Sequence, residues 1–173
     1  FPPLGTYNIH ASLLPNYRGA APINWAIING ETETGVTAFK LQHEIDTGSI
    51  LAQKTASIGE DETFGQLYSR LMELGASLLL ESLEEIKSGE YSLTPQVVES
   101  HHRKAPKIFK ADCEIDWTKT SKEVHDFVRG LNPFPGAFTY FSHEGSNDRL
   151  KIIRTIQSDD KLTAVPGSIQ VKE

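Results

Sequence analysis

Between Thr63 and Gly89 lies the pattern that most limits what this chain can fold into. Phe64, Leu67, Leu71, Leu74 and Leu78 recur at helical spacing, and Leu79, Leu83 and Ile86 carry the apolar stripe onward. That period predicts one long helix over residues 63 to 88. Thr63 is its expected N-cap, with Gln66 as the partner of a capping box, and Gly89 is the expected stop. A helix with one long apolar face is core scaffolding and needs a second layer to cover that face. Gly65 and Gly75 lower helix propensity inside it, and close packing on a sheet is the expected reason.

That layer is legible upstream. Residues 7 to 10 read as a strand, residues 36 to 41 are rich in strand formers with Phe39 and Leu41 on one face, and residues 50 to 54 read as a strand pairing back after a turn at Gly48. Pro22 suits the first turn of a helix through Ile28 that stops at Gly30. Strands alternating with helices predict an α/β unit over residues 1–90. Periodicity then disappears, and residues 91–108, with Pro95, Pro106 and the His101-His102 pair, read as a linker. Short strand-like pieces at 115 to 117, 137 to 141 and 150 to 154 follow, with a helix at 121 to 130 and turn chemistry over Asn132-Pro133-Phe134-Pro135-Gly136. They predict a small β-barrel over residues 109–173. The chain stops just after a strand-like stretch at 168 to 171, so the barrel is expected to be incomplete.

Composition narrows the function classes. No apolar run approaches the roughly 18 residues of a membrane span, and the start at Phe1 has neither a signal peptide's basic and apolar regions nor an initiator Met. The chain is therefore expected to begin inside a longer protein, with no membrane partner. Cys113 is the sole cysteine, which excludes an internal disulfide and a Cys-based zinc cluster and fits a cytoplasmic setting. The net charge of −6 is uneven: residues 1–100 hold 5 Lys/Arg against 13 Asp/Glu, and residues 101–173 hold 12 against 10. Arg103, Lys104, Lys107 and Lys110 begin the basic stretch, a pattern that suits contact with a polyanion and equally an ordinary solvated surface.

The chemistry-bearing candidates are Asn8, His10 and Asp46, an amide, an imidazole and a carboxylate, each at the end of a strand-like run. Alternation along an extended Tyr7-Asn8-Ile9-His10 puts Asn8 and His10 on one face. A non-titrating donor beside a group that titrates near neutrality suits polarising a carbonyl and moving a proton, although polar residues at strand ends are more often simply solvated. Asp46-Thr47-Gly48-Ser49 mimics the aspartic-protease loop, but it occurs once, Glu44 stands where an apolar residue belongs, and the long helix does not suit an all-β protease. His43, His101 and His102 lack metal-site spacing, so no metal is expected. Cys113 has no activating neighbour in sequence, and Gly-x-Gly-x-x-Gly and phosphate-loop patterns are absent.

The string Asn8-Ile9-His10-Ala11-Ser12-Leu13-Leu14-Pro15-Asn16-Tyr17-Arg18-Gly19-Ala20-Ala21-Pro22-Ile23, with Glu33-Thr34-Gly35-Val36-Thr37 and Asp46-Thr47-Gly48, closely resembles the folate-dependent formyltransferases. Ile115-Asp116-Trp117 and Asn132-Pro133-Phe134-Pro135 resemble the C-terminal barrel of the members that act on initiator methionyl-tRNA. The resemblance implies the C-terminal half of a Rossmann-like catalytic domain followed by a partial OB-like barrel. It implies formyl transfer from 10-formyltetrahydrofolate to the α-amine of methionyl-tRNA, in a monomeric enzyme of translation initiation. Asn8, His10 and Asp46 become the catalytic residues, Ser12, Leu13, Leu14 and Pro15 lie beside the folate, and Arg18 with Arg103, Lys104, Lys107 and Lys110 become contacts for folate or tRNA.

Two departures follow. On the order of 100 residues of nucleotide-fold structure are expected before Phe1, and the last barrel strands after Glu173, so the isolated chain is expected to transfer no formyl group. Formyltransferases of amino-sugar nucleotides share Asn29-Gly30-Glu31-Thr32-Glu33-Thr34-Gly35 and Pro135-Gly136-Ala137-Phe138 and are the main alternative. An RNA-binding fragment without catalysis is a second.

Overall fold

The computed structural model describes residues 2–143, 145–158 and 165–169. The long helix is present as α2 (Phe64–Ser88). Thr63 caps it: its Oγ1 accepts from the Gln66 N–H at 3.4 Å, and its own N–H donates to Gln66 Oε1 at 2.9 Å. Gly89 ends it with a left-handed φ of 77°, where a side chain would be strained. Leu67, Leu71, Gly75, Leu78, Ser82 and Ile86 form its buried face.

That face lies on a three-stranded sheet of β1 (Tyr7–His10), β3 (Glu33–Lys40) and β4 (Ile50–Ser57), ordered β1-β3-β4 and antiparallel throughout. The expected return of residues 50 to 54 after Gly48 is the β3–β4 pairing. β1 is an edge among the described residues, with Asn8 opposite Phe39 and His10 opposite Thr37. A Cβ on Gly75 would stand 3.2 Å from Ile9 Cγ2, so this glycine does let the helix settle on the sheet. Between β1 and β3 run β2 (Arg18–Gly19) and α1 (Pro22–Ile28), which starts at Pro22 as expected. The core joins Ile23, Ala26 and Ile27 of α1 to Val36, Ala38, Leu67, Leu71 and Leu78.

Two expectations about α2 need correction. Leu79 and Leu83 are 42 % and 50 % exposed, because three strands cover only the 67/71/75/78/82 face and the adjacent stripe has no cover among the described residues. Gly65 does not approach the sheet: a Cβ there would lie 2.7 Å from Pro133 Cδ, so it is the second unit that packs against it.

Residues 91–108 contain one short strand, β5 (Lys104–Ala105), which pairs in parallel with β2. Beyond them come a 3-10 turn (Lys110–Cys113), α3 (Ser121–Gly130) and a hairpin of β6 (Phe138–His143) with β7 (Ser146–Lys151). Cys113, Ile115, Val128, Leu131, Ala137 and Phe138 form a second core. The expected strand at 115 to 117 is reduced to a bridge between Glu114 and Phe138, since only the Ile115 N–H reaches the Phe138 carbonyl. The strand expected at 150 to 154 sits earlier, at Ser146–Lys151, and after it Ile152 makes one more bond, N–H to the Ala137 carbonyl. Ser168 and Ile169 form no strand, and Gln170 and Val171 lie outside the described residues. No closed barrel occurs among the described residues.

A buried arginine, paired within α3, locks the two units together. Arg129 Nε and Nη2 lie 2.8 and 2.7 Å from Asp126 Oδ1, and Nη1 donates to the carbonyls of Gly59 and Glu62 just before α2. Arg129→Ala is expected to cost about 3 kcal/mol, the low end for breaking a buried pair because Lys122 still neutralises Asp126. Urea denaturation of the chain checks this.

Candidate functional site

The structure brings His10 and Asp46 together, with Asn8 exposed on the same strand two residues before His10. His10 ends β1 and is 7 % exposed. Its Nε2 lies 2.8 Å from the Tyr17 carbonyl oxygen and its Nδ1 3.7 Å from Asp46 Oδ2. A carbonyl only accepts, so Nε2 carries a hydrogen, and Nδ1 is the nitrogen left to gain or lose one, on the carboxylate side. Asn8 shares the His10 face two residues back, is exposed, and has no hydrogen-bond partner among the described residues.

Two residues hold left-handed backbone to make this geometry, Tyr17 at φ 59° and Asp46 at φ 55°. An aspartate tolerates that region, whereas a tyrosine enters it at a cost of order 1–3 kcal/mol and stays only where its surroundings hold it. Tyr17 is held on every side. Its N–H donates to the Arg103 carbonyl at 2.7 Å, its hydroxyl donates to Glu31 Oε1 at 2.7 Å, and the Asn29 amide donates to that hydroxyl. Burial, followed by the Glu31 hydrogen bond, pushes the Tyr17 phenol up to about 12. Asp46 is fixed at its carboxylate, where Oδ2 accepts the Gly19 N–H at 2.9 Å. Gly48 must be glycine, because a Cβ there would overlap the Lys40 carbonyl.

The Ser12-Leu13-Leu14-Pro15 loop is tied to the sheet from beneath. Ser12 and Leu14 are 0 % and 3 % exposed, backbone included, so the half-buried Leu13 and Pro15 are the members of this loop that a ligand can meet. Ser12 Oγ donates to the Asn16 carbonyl, and Thr37 Oγ1 donates to the Ser12 carbonyl. Leu13 packs over Gly35 of β3. Arg18 points into the site wall, with Nε and Nη2 donating to Gln96 Oε1. Arg103 and Lys104 lie beside this loop through the Arg103 contacts and the β2–β5 pairing. Lys107 and Lys110 stand apart, lining a cleft of about 650 Å³ with Phe134 and Arg149. A cavity of about 760 Å³ lies elsewhere, between the two units beside His125 and Arg129, and does not reach the trio. Cys113 is buried, its thiol donates to the Phe109 carbonyl, and burial pushes it up. Among the described residues no group of three or more His, Cys, Asp or Glu side chains could hold a metal ion.

Sequence reading missed Tyr17, Thr37, Gln53, Gly19 and Gln96 as supports of the site. Thr37 and Gly19 lie within the motifs of the resemblance, and Gln53 is a lone amide in a strand-forming run. Nothing marks Gln96 in sequence.

The chain belongs to the formyl transferase family. The family described as "Formyl transferase" matches residues 1–83, and "Formyl transferase, C-terminal domain" matches residues 107–173. The methionyl-tRNA formyltransferase of Azobacteroides pseudotrichonymphae is 50 % identical over 163 residues, which cover 91 % of this chain and 50 % of that protein. The chain thus spans about half the length of the curated relatives it matches. Among solved structures, HypX from Aquifex aeolicus in complex with tetrahydrofolic acid is similar at a TM-score of 0.71 and 27 % identity, over 95 % of this chain and 28 % of that one. The N-formyltransferase from Helicobacter canadensis, in complex with folinic acid and dTDP-3-aminofucose, is similar at a TM-score of 0.66 and 26 % identity, over 82 % of this chain and 52 % of that one.

Tyr17 supplies a pH test. Tyr7, desolvated and bonded to the Tyr91 hydroxyl, is likewise pushed up to about 12. Phenols whose folded value lies above the unfolded value of about 10 stabilise fully below that value and lose the contribution as pH rises toward 12. Stability is expected to fall between pH 10 and 12, less steeply in Tyr17→Phe, as alkaline denaturation with phenolate absorbance would show.

Proposed function

We propose that this chain carries the transfer centre of an enzyme that moves the formyl group of 10-formyltetrahydrofolate onto the α-amine of initiator methionyl-tRNA. The observation that carries the reading is the 50 % identity to a methionyl-tRNA formyltransferase, extended over 91 % of the chain. The chemistry matches the side chains. The amine attacks the formyl carbon, a tetrahedral oxyanion forms, the bond from that carbon to N10 of the folate breaks, the amine gives up a proton and N10 takes one. Asn8, whose exposed amide has no partner among the described residues, donates to the oxyanion, an interaction worth about 10²- to 10³-fold in rate. His10 adds positive charge and relays the proton at Nδ1, worth about 10²- to 10⁴-fold. Asp46 orients the ring and shares that proton. Tyr17 contributes its carbonyl, which fixes the ring plane.

The Ser12-Leu13-Leu14-Pro15 loop borders the folate in this reading, presenting Leu13 and Pro15 while Ser12 and Leu14 hold it from within, with Arg18 at its edge. Arg103, Lys104, Lys107 and Lys110 meet tRNA phosphates. We read residues 1–90 as the C-terminal half of the catalytic domain, 91–108 as the connection and 109–173 as part of an OB-like barrel, in a monomeric cytoplasmic enzyme. No helix of the described residues is long and apolar enough to cross a membrane. Transfer to an amino-sugar nucleotide is the second reading, favoured by the ligands of the Helicobacter canadensis structure. The tRNA reading stands ahead of it because the relative named for that acceptor is 50 % identical, against 26 % for the sugar enzyme.

One assay separates them: the complete protein with 10-formyltetrahydrofolate and either methionyl-tRNA or dTDP-3-aminofucose. Transfer to the tRNA alone is expected. Asn8→Ala and His10→Ala are each expected to lower transfer at least about 100-fold while leaving tRNA binding within a few-fold, and equal loss of both properties would make the trio structural. Binding of tRNA is expected to weaken steeply as salt rises, since phosphate contacts release counterions; no binding at low salt would count against the tRNA reading.

A further inference from the structure

Residues 91–108 reach back into the site through one side chain, Gln96. Its Nε2 donates to the Asp46 carbonyl at 2.9 Å and the Gly48 carbonyl at 2.7 Å. Its Oε1 accepts from Arg18 Nε at 2.9 Å and Nη2 at 2.6 Å. The partners set the orientation of the amide. Carbonyls only accept and a guanidinium only donates, so the flipped amide would face like against like at every contact. Gln96 therefore spends both N–H donors on the Asp46–Gly48 turn and anchors its oxygen on Arg18.

Asp46 is where that matters, because the left-handed turn at φ 55°, packed through Gly48 against the Lys40 carbonyl, is what aims its carboxylate at His10 and Gly19. We infer that Gln96 is a positioning residue for formyl transfer. It holds the Asp46–Gly48 backbone so that Asp46 Oδ2 reaches both His10 Nδ1 and the Gly19 N–H, and it does so from the segment leading into the second unit. This rests on the reading of Asp46 as a residue of the transfer site.

Gln96→Glu tests it, since the side chain keeps its shape and its Arg18 contact but turns an oxygen toward two carbonyls. In the complete protein kcat is expected to fall about 10- to 100-fold, as for misplaced catalytic groups, with KM for both substrates within about threefold. In an Asp46→Ala background the same substitution is expected to change kcat less than about twofold, because nothing is left to position. An unchanged kcat in the single variant, or a loss that adds in full to that of Asp46→Ala, overturns the inference. A second readout needs no substrate. Gly19 amide exchange reports the Asp46 carboxylate directly, and it is expected to quicken at least about tenfold in Gln96→Glu while Leu71 and Leu78 in α2 stay protected. Unchanged Gly19 exchange overturns the positioning role. Absence of transfer by the unsubstituted protein overturns the functional reading instead, and the exchange result still decides the role of Gln96.

Discussion

The site depends on one buried hydroxyl. Thr37 Oγ1 donates to the Ser12 carbonyl at 2.6 Å and accepts from the Leu14 N–H at 3.1 Å and from Gln53 Nε2 at 2.8 Å. Those three bonds use everything a hydroxyl offers. Gln53 adds a bond to the Leu14 carbonyl, so the 12–14 loop is pinned to β3 and β4 together. Thr37 stands opposite His10 in the sheet register, which places the anchor of the loop beside the ring that the loop must reach. From there the chain turns back at Tyr17 and sets its carbonyl on His10 Nε2. A valine would fill the same space and leave the buried Ser12 carbonyl and Leu14 N–H without this partner, so shape alone does not define this position.

What could be read in the sequence was local. The Thr63–Gln66 box, the Gly89 stop and Pro22 at the start of α1 act over three or four residues, and each is where its signal places it. The shared face of Asn8 and His10 follows from alternation, and the pairing of His10 with Asp46 came from a resemblance, since 36 residues separate them. Long-range contacts left no such trace. Periodicity marked Leu79 and Leu83 as apolar but carries no information on how wide a face the sheet covers. Gly65 signalled a close approach, but the sheet expected against it is not its partner, which proved to be Pro133. Tyr17, Thr37 and Gln96 matter through bonds to distant main chain, and their residue types give no hint of that.

Charge divides along similar lines. The basic stretch looked uniform in sequence, yet Arg103 and Lys104 sit at the loop beside Tyr17 while Lys107 and Lys110 border a separate cleft with Phe134. Arg103 lies 3.8 Å from Glu31, the carboxylate that also holds Tyr17, so part of the basic stretch is engaged in building the site.

The Arg129 clamp bears on modularity. By composition the second unit invites treatment as a cassette, to be cut near residue 108 and fused elsewhere. Its helix α3, however, spends a guanidinium on the carbonyls of Gly59 and Glu62, and Asn24 of α1 donates to the Gly130 carbonyl. A cut at 108 would strand those donors and acceptors on both pieces. The natural unit of transplantation therefore includes the turn before α2 and helix α1, so a chimera exchanging second units between relatives inherits its seam from these side chains and not from residues 91–108.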